Sequence, residues 1–302
     1  MLLERKQTGL PDANDWSDFG KRFLLVFGSL FFLAGVIFFF AFNWNGLHRY
    51  SKLILVSFGL LAVNIAYTRD FTKHWIRELL GVLAFFFVGQ ILLVFGQIYQ
   101  TGANAYDLFF GWAVFSALLV SISGSPVVWF LWILLLNITF DLYWEQVLAF
   151  SPPLWAIYLA LIFNLAALSA YEFWIRFKTK GERSAWFAPT ILVIALGWLN
   201  FGSNRTLFFL FEDKVESVYL LITVVSLAGL YSFYRFFIYD LACLSFTLLS
   251  ALVFVFSLYI KYLTNEAIGD FFLGFFIIIG LTTGMVVHLL QIRKEHSGEE
   301  TK

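Results

Sequence analysis

The chain has 302 residues, 61% of them hydrophobic and only 13% charged, with 39 phenylalanines and 11 tryptophans. Soluble domains average about 45–50% apolar and about 25% charged, so this composition belongs in a bilayer. Lys plus Arg equals Asp plus Glu at 20 each, which removes the case for a nucleic-acid partner, and one cysteine excludes an intrachain disulfide.

Polar breaks divide the chain into ten hydrophobic runs, each judged against the roughly 17–25 residues needed to span about 30 Å of hydrocarbon. A mixed-charge leader, MLLERKQTGLPDANDWSDFGK (1–21), is expected to be a short cytoplasmic segment. The first run, 22–43, lacks an A-x-A-like cleavage site and is too long for a signal-peptide core, so it reads as an uncleaved membrane helix. It ends on Asn43, Trp44 and Asn45. The second run, 52–67, is about 24 Å long by helical rise, so Lys52 and Arg69 are expected to snorkel toward the headgroups. The third, 78–98, carries Gln90 and Gln97, seven residues apart and therefore nearly superimposed on one helix face, with Gln100 and Thr101 continuing outward. That stripe either lines a water-filled cleft or hydrogen-bonds a neighbouring helix.

Gly102 and Asn104 supply a turn before the fourth run, 107–122, and Asp107 stands where a carboxylate accepts from the unpaired N–H groups of a helix start. Only Ser123-Gly124-Ser125-Pro126 separates the fourth run from the fifth, 126–143, so the pair is either two spans or one re-entrant hairpin. Asn137, Asp141 and Glu145 follow i, i+4, i+8 spacing, which predicts one shared face. Paired carboxylates can act as general acid and base, yet no nucleophile or metal ligand accompanies these, and no enzyme is expected. The sixth run, 153–174, holds the mid-span amide Asn164, and the seventh, 186–201, ends near Asn200, Asn204 and Arg205.

The eighth to tenth runs cover 217–236, 239–260 and 270–290. Gly280 and Gly284 form a GxxxG in the tenth, for which internal packing is favoured over dimerisation. His48, His74, His288 and His296 show no HxxH or HExxH spacing, so neither metal nor other cofactor is expected. The fold class is an all-α polytopic membrane helix bundle of about ten transmembrane helices over 22–291, with a cytoplasmic tail at 292–302.

Alternating the connections places fifteen Lys and Arg on one side, the side of both termini, and five on the other. By the positive-inside rule both termini are cytoplasmic. The cation-free stretch GQIYQTGANAYDLFFGW (96–112) then lies outside. Charged side chains cost about 2.5–3.5 kcal/mol at a helix centre, and every one here falls in a connection or near a helix end. Without a titratable group part way across, proton-coupled transport is disfavoured.

LFFLAGVIFFFAFNWNGLHRYSKL (30–53), followed by GQIYQTGANAYDLFFGWA, resembles the bacterial multi-pass membrane family catalogued as domain of unknown function 2157 over about residues 22–125. The resemblance rests on Asn43-Trp44-Asn45, Lys52, and the run Gln97, Tyr99, Gln100, Thr101, Gly102 and Asp107. It implies an inner-membrane protein, sometimes encoded beside another small membrane protein, with no assigned activity. Its N-terminal region, a longer cytoplasmic helical segment in that family, is about 20 residues here.

The residues thus nominate a polar cleft of Asn43, Asn45, Gln90, Gln97, Gln100, Asp107 and Asp141, with Arg49 or Arg205 as counter-charge to Asp107. The expected role is non-enzymatic, as a structural or assembly protein whose partners are the lipid bilayer and another membrane protein. The alternative is a transporter or channel that takes a small solute through an externally open cleft.

Overall fold

A computed structural model describes residues 16–21, 23–24, 27–28, 31, 38, 44, 46–69, 74–99, 102, 104–148, 151–177, 184–209, 213–263 and 268–299. The described stretch 16–21 is helical and is numbered α1, and the other described positions up to 44 are helical too; the first predicted run otherwise falls outside the described residues. Then follow α2 (Arg49–Tyr67), α3 (His74–Tyr99), α4 (Ala105–Ser123), α5 (Pro126–Leu142), α6 (Leu154–Phe177), α7 (Phe187–Phe209), α8 (Asp213–Ser232), α9 (Leu241–Leu263) and α10 (Ile268–Glu299). Among the described residues there are no strands. In hydrocarbon every backbone N–H and C=O must be satisfied within the protein, and uninterrupted helices do this within each segment. Nine described helices are long and apolar enough to cross a membrane, so the fold is an all-α membrane bundle.

Local chemistry sets the helix ends. Gly102 adopts φ +63° before α4, and Gly124 adopts φ +61° between α4 and α5, a left-handed conformation that costs glycine nothing. Pro126 then opens α5, where its missing N–H is not needed. The α4 segment spans 19 residues, and α5 with the π turn that follows it (Pro126–Val147) spans 22, each sufficient for a full crossing, which favours two spans over one re-entrant hairpin. Two helices end in a wide π turn, Tyr143–Val147 after α5 and Phe233–Phe237 after α8. Each turn rotates an aromatic inward: Trp144 and Tyr234 are both buried.

Neighbours in sequence are mostly neighbours in space. The helix α2 packs on α3, α3 on α4 and α5, α6 on α7, α7 on α8 and α9, and α9 on α10. A smaller core of Phe85, Ala113, Val120, Val128 and Leu135 joins α3, α4 and α5. The larger core centres on α7, whose Ala188, Ile191, Leu192, Ala195, Leu199 and Leu207 are completely inaccessible. Contacts also sort the helix ends into two levels. Tyr67, closing α2, donates to the Ser123 carbonyl at 3.1 Å, and Ser125 reaches Glu78 near the start of α3. At the opposite level Trp44 meets Gln97, and the Tyr106 N–H meets Gln146 beyond α5.

Three expectations need correction. The seventh run was predicted to stop at 201, but α7 continues to Phe209. Its polar residues turn back onto their own helix, Asn204 Nδ2 donating to the Asn200 carbonyl and Thr206 Oγ1 to that of Gly202, so they do not break it. Gly280 and Gly284 do not pack internally: both are exposed, and a Cβ at either would meet nothing within 4 Å. Close packing of α10 falls instead on Gly274, where a Cβ would lie 3.0 Å from the Tyr259 ring. Asn137, Asp141 and Glu145 do not share an environment, since Asn137 is buried while the two carboxylates are exposed. An α-helix advances about 40° over four residues beyond a full turn, and the π turn at Tyr143 changes the register again.

Candidate functional site: the outward face of α3 and a buried amide knot

Tight packing against α4 fixes the rotation of α3. Gly81, Ala84, Phe85, Gly89 and Val94 are buried, and Trp112 lies so close that a Cβ on Gly89 would sit 2.5 Å from its ring. The Trp112 indole N–H donates to the Phe85 carbonyl at 2.8 Å and holds this approach. With that face turned in, Leu79, Phe86, Gln90, Leu93 and Gln97 form an exposed stripe. Both glutamines therefore lie on the apolar, outward side of α3. Gln90 stands nine residues before Tyr99, about 14 Å along the axis from that end.

Gln97, nearer the end, accepts from the Trp44 indole N–H at 3.4 Å, and the Lys52 ammonium lies 5.4 Å from the centre of the Trp44 ring. Trp44 thus bridges the close of α3 and the start of α2, and Lys52 reaches to the end of its helix as a snorkelling lysine does. Asn43, Asn45 and Gln100 lie outside the described residues.

Asp107 is exposed and caps α4 by accepting from the Asn104 backbone N–H at 2.9 Å. The next orphan donor at that helix start, the Tyr106 N–H, goes to Gln146 Oε1 at 3.0 Å, a partner that the sequence reading did not nominate. Asp141 is exposed on α5. Neither arginine proposed for Asp107 is described against it: Arg205 donates to the Pro152 carbonyl, and Arg49 lies 5.0 Å from the Tyr50 ring. Among the described residues no three His, Cys, Asp or Glu side chains gather as metal ligands would.

The strongest polar cluster was missed as a cluster. Asn137 of α5 and Asn164 of α6 face each other, Asn137 Nδ2 donating to Asn164 Oδ1 at 3.1 Å and Asn164 Nδ2 to Asn137 Oδ1 at 2.8 Å. The Trp198 indole of α7 donates to the same Asn137 Oδ1 at 2.7 Å. Each amide also donates back to its own helix, to the Ile133 and Ala160 carbonyls, both at 2.8 Å. Three helices are thereby pinned at one point, with Asn164 inaccessible and Asn137 nearly so. A second tie joins α7 to α9, where Asn200 Nδ2 donates to Ser250 Oγ at 2.8 Å.

The chemistry divides cleanly. Buried amides satisfy one another and lock helices, whereas the amides of α3 face out. Residues 2–129 match the family model described as Predicted membrane protein (DUF2157), a wider match than the resemblance at 22–125 and one that includes the short N-terminal segment. It extends from the leader through α4 to the first residues of α5, and thus contains the α3 face. No curated protein and no solved structure matches the chain.

Proposed function

We propose that this multi-pass membrane protein is a non-enzymatic assembly component of a bacterial inner membrane, which docks a second membrane protein along the outward face of α3. One observation carries the reading: Gln90 presents an exposed amide within an apolar run, between Phe86 and Leu93 on the same face. A primary amide in hydrocarbon without a partner loses about 4–8 kcal/mol on the water-to-cyclohexane scale. A partner helix offering a donor and an acceptor removes that cost. Interhelical hydrogen bonds of this kind are worth about 0.6–1.7 kcal/mol net. The seven-residue interval from Gln90 to Gln97 matches two turns of such a helix. The fifteen-to-five distribution of cations supports placing both termini in the cytoplasm and the Gln97 end outside.

Single cysteines at positions 90 and 97, in a chain whose Cys243 is replaced, test this in native membranes. A water-soluble thiol reagent added outside is expected to modify position 97 and spare 90, while a membrane-active cross-linker at 90 captures one discrete neighbour. Modification of position 90 as fast as 97 would overturn docking in favour of a wet path and solute transport. Absence of any discrete cross-linked species would remove the partner.

A further inference from the structure

The outward side of α3 carries a repeat as well as an amide. Leu79, Leu83, Phe86, Gln90, Leu93 and Gln97 follow at alternating intervals of four and three residues, the a/d pattern of a helix that packs on another helix over several turns. Leu83 is half-buried and the other five are exposed. A Cβ on Gly59 of α2 would lie 2.6 Å from the Phe87 ring, and one on Gly89 would lie 2.5 Å from the Trp112 ring of α4, so those two helices flank the seam. Phe87 and Gly89 stand about 160° apart around α3 on the side that holds Gln90, which leaves a nearly flat face with Gln90 close to its middle.

The chain itself does not supply this amide with a partner. Among the described residues nothing hydrogen-bonds to Gln90. From Phe23 to Phe42 the first run has one side chain able to hydrogen-bond, Ser29, which is fifteen residues from Trp44, whereas Gln90 is seven residues from the Gln97 that Trp44 meets. A second copy of the chain supplies the partner by symmetry. Copies of a membrane protein insert with one orientation, so their α3 helices run parallel, and a two-fold axis along the membrane normal sets each residue against its counterpart at equal depth. Gln90 then faces Gln90. A primary amide holds both donor and acceptor, so the two can exchange two hydrogen bonds, as Asn137 and Asn164 do inside the bundle. A single polar residue in an apolar a/d seam fixes register and partner number.

We propose that α3 is a homodimer seam, along which two copies pack in parallel around a reciprocal Gln90 amide pair. The proposal rests on the docking reading of this face and names its occupant as a second copy of the chain. Full-length chains carrying two different tags, with Cys243 replaced and one new cysteine each, are coexpressed and oxidised in native membranes. Leu93→Cys and Phe86→Cys should give a disulfide-linked species that contains both tags, and Phe95→Cys, exposed on another side of α3, should not. Gln90→Leu, in chains with the native residues at 86 and 93, should weaken association about sevenfold, as measured by energy transfer between labelled copies on dilution in micelles, for two bonds at the average membrane value. Dual-tag linkage at 95 as strong as at 93, its absence at both 86 and 93, or association unchanged by Gln90→Leu would each overturn the self-pairing. A discrete neighbour cross-linked at position 90 that lacks the second tag would also overturn it while leaving docking in place. If no discrete neighbour of either kind is captured, docking falls with it.

Discussion

Replacing Asn137 by leucine should destabilise the bundle more than any other single change in the amide knot. The side chain makes three interhelical hydrogen bonds: it donates to Asn164, accepts from Asn164, and accepts from Trp198. At about 0.6 kcal/mol each, the average for such bonds in membrane bundles, their loss amounts to about 2 kcal/mol. Asn164→Leu removes two of the three and should cost about 1 kcal/mol, and Trp198→Phe removes one and should cost about 0.5 kcal/mol. The Asn137→Leu, Asn164→Leu double variant should cost no more than Asn137→Leu alone, because both bonds of Asn164 to α5 end on Asn137. Leucine keeps the branched skeleton of asparagine with larger methyl groups, so no cavity forms, and the coupling between the two asparagines separates their shared hydrogen bonds from overpacking at either site. Equilibrium unfolding in mixed micelles supplies the four free energies and the coupling term. Costs for the two asparagines that add within about 0.3–0.5 kcal/mol would refute the shared knot. An Asn137→Leu variant no weaker than Trp198→Phe would refute the count of bonds behind it.

Packing supplies a paired test on glycines. Gly89→Ala drives a methyl into the Trp112 ring and should cost about 1–3 kcal/mol, whereas Gly280→Ala enters open space and should be neutral or stabilising by up to about 1 kcal/mol. Thermal melting in detergent ranks the two, and the reverse order would show that the α3–α4 contact is misplaced. Gln146→Leu deprives the Tyr106 N–H of its acceptor, so amide exchange at Tyr106 should accelerate about fivefold or more; unchanged exchange would mean that Gln146 is not its cap. Cys243 is inaccessible, so the native protein should resist water-soluble thiol reagents and react only on unfolding, and prompt labelling of the folded chain would contradict its burial.

The elements that the sequence made legible depend on neighbours close in the chain. The run lengths locate α2 to α10, because about 17–25 apolar residues answer a fixed bilayer thickness. Gly102, Asn104 and Asp107 reveal the start of α4, because the capping bond spans three residues. The cluster of Asn137, Asn164 and Trp198 is different, with partners 27 and 61 residues apart on helices that are apolar on every side. An amphipathic stripe normally announces which face of a helix turns inward. In a bilayer the exterior is as greasy as the interior, so that announcement is missing. Gly280 and Gly284 were misplaced for the same reason: a small-residue pair shows where a helix can be approached, and only the fold shows whether its own neighbours do so. Gln90 and Asn164 make the contrast plainest. Each is a lone amide within an apolar run, and the sequence gives no ground for separating them. The bundle buries Asn164 and bonds it three times over, to Asn137 in both directions and to the Ala160 carbonyl, while the approach of Trp112 to Gly89 turns Gln90 outward beside Phe86 and Leu93. An amide that the chain has satisfied needs no further explanation than folding. One that it leaves exposed between Phe86 and Leu93 is not accounted for by folding alone, and on that difference the proposed docking of an outside partner rests.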